Sequence, residues 1–119
     1  MTINKKKYAA EKRENYFCSD TKKKQILIAN SLRKKNYHIN RWKNKNLGHN
    51  KDWSTYTITR DGKIYEHFPP NKYSEFIGEK KIDKMVISIV LENMGYLTKF
   101  NNKYYNWLNE ECDSEYVTE

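Results

Sequence analysis

The chain has 119 residues, 37% apolar and 32% charged, and ten Tyr and three Trp bring its aromatic share to 14%. That length fits one domain and argues against two, and the aromatic content excludes a disordered chain. The formal net charge of +8 is uneven: residues 1–51 hold 15 Lys and Arg against 3 acidic residues, and residues 52–119 hold 8 against 12.

Residues 1–24 read as a basic arm or short helix, with Tyr8, Tyr16 and Phe17 as anchors. QILIAN (25–30) is a short continuous apolar run, which predicts a strand buried on both faces. A basic cluster, Arg33-Lys34-Lys35, follows it. From Lys34 to Leu47, the spacing of His38, Ile39, Trp42 and Leu47 predicts a helix that Gly48 stops.

STYTITRDGKIYEHF (54–68) carries β-branched and aromatic residues on both sides of Arg60-Asp61-Gly62-Lys63, a hairpin pattern. A strict two-residue turn would pair Thr59 with Ile64, and a bulged three-residue loop would shift that register; the sequence leaves the choice open. Pro69-Pro70-Asn71 ends the second strand. FIGEKKIDK (76–84) reads as loop, and MVISIVLEN (85–93) as a central strand that Gly95 breaks.

In the tail, Asn101-Asn102 can turn a hairpin between aromatic strands, or Phe100, Tyr104, Trp107 and Leu108 can form a helical stripe; the hairpin is the favoured reading. Glu110, Glu111, Asp113, Glu115 and Glu119 form a solvated acidic end. The element order predicts a mixed α/β sheet flanked by helices, with an arm over 1–24, one domain over 25–109 and an acidic tail over 110–119.

Cys18 and Cys112 are too few for a disulfide scaffold, lack metal-ligand spacing and read as free thiols. The basic start precedes no apolar stretch, and no window reaches membrane-spanning length, so the expectation is no signal peptide, no membrane and a cytoplasmic location. The basic half suits an anionic partner such as nucleic acid or a wall polymer. A solvated lysine-rich face explains it equally well, and the wealth of Asn, Lys, Ile and Tyr also fits an A+T-rich coding sequence.

QILIAN, a Trp-bearing helix, STYTITRDGKIYEHFPP, FIG and ISIVLENMG, in that order, resemble the zinc-dependent N-acetylmuramoyl-L-alanine amidases, whose fold peptidoglycan recognition proteins share. The resemblance spans roughly residues 25 to 96, and its most specific pieces are the Arg-Asp-Gly hairpin and a strand close to the family's S-I-G-I-E-x-x-N. Lysine- and asparagine-rich versions point to bacteriophages, so the implied location is the host cytoplasm or the virion. The family's first zinc ligand, a His at the end of the first strand, falls at Ala29. Its catalytic Tyr falls at Ser54, with Tyr56 on the same face two residues on. The His of an x-His-x-Gly stretch falls at Phe76. The remaining two ligands are expected in a C-terminal region beyond Glu119. Zinc needs three protein ligands and an open position for water, so the resemblance implies the fold without the metal: no cofactor and no catalytic residue are expected.

Three histidines remain to be weighed as ligands. His38 shares a helical face with Trp42, His49 lies in a loop, and His67 sits on the second hairpin strand beside Phe68; convergence of all three is not expected. The expected ligand groove is instead lined by Asn30, Ser31, Ser54, Tyr56, Tyr73, Glu92 and Asn93, amide, hydroxyl and aromatic groups suited to sugar hydroxyls, peptide amides and sugar rings. Glu92 as a base lacks an identified partner. Nucleotide-binding glycine loops are absent, and nucleic-acid binding rests only on the basic half with Tyr8, Tyr16, Tyr37 and Trp42 interspersed. Three functions follow: a non-catalytic amidase-fold module that binds peptidoglycan or scaffolds a virion or protein partner, a portion of an active amidase completed by other sequence or another subunit, and a basic protein binding nucleic acid or a host factor. An incomplete fold would expose part of its sheet, so a protein partner or homo-oligomer covering it is expected.

Overall fold

A computed structural model describes residues 2–44 and 51–117. Among these, eight strands and two α-helices run in the order β1 (Ile3–Asn4), β2 (Gln25–Asn30), α1 (Tyr37–Lys43), β3 (Tyr56–Ile58), β4 (Ile64–Glu66), α2 (Lys80–Met85), β5 (Val86–Leu91), β6 (Thr98–Phe100), β7 (Lys103–Tyr105) and β8 (Glu111–Cys112). The main sheet has the order β1-β4-β3-β5-β2, and β6, β7 and β8 form a separate meander. Only β3 and β4 are antiparallel in the main sheet; β5 runs parallel to both of its neighbours, and β1 runs parallel to β4. The sheet is therefore mixed, as expected.

The hairpin takes the three-residue alternative. Ile58 pairs with Ile64, the Thr59 amide donates to the Lys63 carbonyl, and Gly62 (φ 85°) accepts the left-handed conformation that the third loop residue needs. The tail is also a hairpin: Asn101 (φ 51°) and Asn102 (φ 64°) are both left-handed, the pair of conformations that matches strand twist in a two-residue turn.

Three expectations are corrected. QILIAN is the edge of the sheet, not a strand buried on both faces: Ile26 and Ile28 are 65% and 60% exposed. The run is continuously apolar although one of its faces lies open. The predicted loop over FIGEKKIDK contains α2, six residues with no apolar stripe to announce it. The helix is fixed at its start, where Glu79 accepts the Lys81 amide while buried Asp83 accepts the Ile77 and Gly78 amides, at 2.9 and 3.0 Å. At the acidic end, Glu110 is not solvated, since Arg33, Asn106 and the Lys34 amide all donate to it, and Cys112 is buried. Helix α1 is observed over a shorter span than predicted, and Leu47, Gly48 and His49 lie outside the described residues.

The core gathers between α1, the N-terminal arm and one sheet face: Tyr16, Ile39, Trp42, Trp53, Phe68 and Val90, flanked by Tyr8, Ala10 and Phe76. The three expected anchors of the arm all engage. Tyr16 stacks on Phe68, Phe17 on Tyr73, and Tyr8 meets Tyr65 edge-on. By register, the opposite face carries Ile26, Ile28, Tyr56, Ile58, Ile64, Ile87, Ile89 and Leu91, all half-buried or exposed.

His67 is a core residue. Its Nδ1 donates to the Tyr8 carbonyl, so its Nε2 accepts from the Thr57 hydroxyl, both at 2.7 Å, and Trp42 and Trp53 meet its ring edge-on. Burial is the main cause holding its pKa down to about 4 from 6.5. The unfolded chain then takes up a proton below pH 6.5 that the folded chain refuses until about pH 4, so stability falls as pH drops through that window. Between pH 6.5 and about pH 5 the loss from this residue is about 2 kcal/mol. Urea midpoints across that range check it, and a His67→Gln variant should lack this step.

Candidate functional site

The site forms where β2 and β5 end side by side. Parallel pairing sets Asn30 opposite Leu91, so the residues that follow each strand leave the sheet together. The Ser31 hydroxyl donates to the Asn93 carbonyl (2.9 Å) and accepts the Asn93 amide (3.1 Å), while Asn93 Nδ2 donates to Asn30 Oδ1 (2.7 Å). Asn93 Oδ1 accepts the Gly95 amide, which turns the chain away from the strand.

Glu92 is buried beside this group. One carboxylate oxygen accepts from Arg60 Nε at 3.4 Å and the other from the Asn36 amide at 3.0 Å, the residue that opens α1. Arg60 also donates to the Arg33 carbonyl, and its guanidinium lies 5.3 Å from the Tyr116 ring centre. A cleft of about 320 Å³ opens here, lined by residues including Arg60, Glu92, Asn93, Cys112 and Tyr116.

A second ion pair ties the meander to the strand ends. Arg33 binds Glu110 through Nε (3.0 Å) and Nη2 (3.4 Å) and stacks over Tyr37, and both Asn106 and Trp107 donate to the Leu32 carbonyl. Burial opposes ionisation of Glu110, but the hydrogen bonds from Arg33, Asn106 and the Lys34 amide outweigh it and hold the carboxyl below its ordinary range.

Four of the seven expected groove residues thus meet: Asn30, Ser31, Glu92 and Asn93. The other three lie apart. Ser54 is fully buried and donates to the Tyr56 carbonyl. Tyr56 donates to Glu66, and burial, reinforced by that carboxylate, pushes the phenol up to about 12, leaving it a poor proton acceptor or nucleophile near neutral pH. Tyr73 is buried and stacked on Phe17, which leaves no open ring for a sugar.

Arg60, Asn36, Arg33, Glu110 and Tyr116 were missed as site residues. Their one sequence signal was Arg60, placed beside the Asp-Gly turn at the end of a strand neighbouring β5.

Among the described residues, no three His, Cys, Asp or Glu side chains gather as a ligand set. The strand ends offer amide and hydroxyl oxygens. Glu92, the one carboxylate of the four, is committed to Arg60 and Asn36, and burial pushes the Cys112 thiol up, away from the thiolate that a metal takes. His38 turns its Nε2 to the Ser31 carbonyl at 3.4 Å. This donor set does not fit zinc. No helix among the described residues is long and apolar enough to cross a membrane.

Neither a family model nor a curated protein matches the sequence. Among solved structures, the N-acetylmuramoyl-L-alanine amidase LysC from Clostridium intestinale URNW matches with a TM-score of 0.52 at 15% identity, over 78% of this chain and 60% of its own. At that identity the likeness is one of fold. The chain has an amidase-like α/β fold and spans part of it.

Proposed function

We propose that this protein is an amidase-fold module that binds peptidoglycan without hydrolysing it. The observation that carries this reading is the strand-end cluster. The cleft beside Asn93 combines polar Arg60, Glu92 and Asn93 with apolar Met94, Leu97 and the Tyr116 ring, and the Glu92 carboxylate in its wall is held in an ion pair by Arg60. Asn93 borders the cleft, and the exposed Asn30 stands beside it with its Nδ2 directed to no other side chain among the described residues, a donor for sugar hydroxyls or peptide carbonyls, while Ser31 fixes the position of Asn93 and Tyr116 offers an aromatic edge to the cleft. On this reading the protein needs no zinc, and it serves at the wall or in a virion as a binding or scaffolding part.

A second reading is a portion of an active amidase completed by other sequence or another subunit. Two observations favour it: the Ile-rich sheet face lies open, and the amidase neighbour has a longer chain than the part matched here.

One experiment tests the first reading. Protein purified without chelator is assayed for bound zinc and then added to a cell-wall suspension, with and without further zinc. The first reading predicts no stoichiometric zinc and no loss of turbidity in either tube. Clearing of the suspension would overturn it.

A further inference from the structure

Strand β2 ends the sheet, and no strand among the described residues pairs with its outer side. Natural edges are usually guarded by a charge, a proline or a bulge, because their unpaired amides and carbonyls are templates for another strand. Gln25–Asn30 has none of these guards, and on its open face Ile26 and Ile28 stand 65% and 60% exposed.

The apolar centre of this edge, Ile26-Leu27-Ile28, is symmetric about Leu27. Ile26 and Ile28 flank Leu27, with Gln25 and Ala29 outside them and Lys24 and Asn30 beyond. We infer that two copies of this chain join through β2, running antiparallel about a two-fold axis at Leu27, so that one sheet continues across both. Antiparallel neighbours that face each other point to the same side of a sheet. With the axis at Leu27, each Ile26 therefore meets Ile28 of the second copy on the open face, and all four exposed isoleucines gain an apolar neighbour.

Lys24 falls opposite Asn30, a neutral amide, so no like charges meet. An axis at Ile26 would set Lys24 against Ile28, and one at Ile28 would set Ile26 against Asn30. Only the Leu27 register pairs apolar with apolar along the run. The edge is thus complementary to itself, and this points to a second copy in preference to an unrelated strand.

Disulfide trapping and sedimentation test the inference on the whole chain. Across the axis, Leu27 faces its own copy at a spacing of about 4.5–5.5 Å between Cα atoms, within disulfide range. In a Cys18→Ser background, Leu27→Cys should form a covalent dimer under mild oxidation. Ile26→Cys alone should not, whereas an equal mixture of Ile26→Cys and Ile28→Cys chains should cross-link. In sedimentation the unmodified chain should show twice the chain mass, and Ile28→Lys, at an exposed position that folding tolerates, should weaken the dimer by about tenfold or more. A monomer at every concentration would overturn the inference. So would a dimer that ignores Ile28→Lys and leaves Leu27→Cys uncrosslinked.

Discussion

Replacing Arg60 with Met lowers the unfolding free energy by about 3–5 kcal/mol. The side chains of Arg60 and Glu92 are only 8% and 4% exposed, and the guanidinium is the one cation paired with that carboxylate among the described residues. Without it, Glu92 retains a charge away from water with the Asn36 amide as its remaining donor. The double variant Arg60→Met/Glu92→Leu should recover much of the loss, because replacing both charges removes the cost of desolvating either. It should not recover all of it, since the Asn36 amide at the start of α1 then has no acceptor. Urea denaturation of the single and double variants checks both statements.

Trp53→Ala costs a similar amount, about 3–5 kcal/mol. Trp53 is 2% exposed, stacks on Trp42 with ring centres 5.5 Å apart, and closes one side of the His67 pocket. Truncation leaves a cavity between α1 and the sheet that rigid neighbours cannot fill. Trp53→Phe should lose less. It keeps a ring in the stack and removes an indole N–H that finds no acceptor among the described residues. Thermal unfolding of the two variants checks the order.

The elements legible in the sequence were those with a local cause. The Asp-Gly pair set a turn that only a few backbone conformations satisfy, Asn101-Asn102 did the same, and the β-branched run from Val86 to Leu91 had no competing helical period. The mixed sheet and its amidase-like fold followed from their order. Helix α2 was illegible because six residues held by the carboxylates of Glu79 and Asp83 carry no periodic stripe. The exposure of β2 was illegible for another reason: an apolar run reads alike whether its second face meets a neighbour or opens to solvent.

The strand ends show the same division. Asn30, Ser31, Glu92 and Asn93 could be named because each follows a strand whose end was clear, and parallel pairing brought them together. Ser54, Tyr56 and Tyr73 were placed by residue type and by resemblance, and their hydrogen bonds and stacking turn them elsewhere. Arg60 and Glu110 reach the site through partners 32 and 77 residues away in the chain, a distance at which charge pattern alone selects no partner.

The most direct measurement is co-sedimentation with insoluble peptidoglycan, comparing the unmodified chain with an Asn30→Ala/Asn93→Ala variant at low and at raised salt. Recognition through the strand-end amides predicts that the unmodified chain stays in the pellet when salt is raised, because hydrogen bonds to sugars and peptides are screened far less than surface charge. The variant should then appear in the supernatant. An unmodified chain that stays in the supernatant at low salt, or a variant that sediments equally well, would contradict the account.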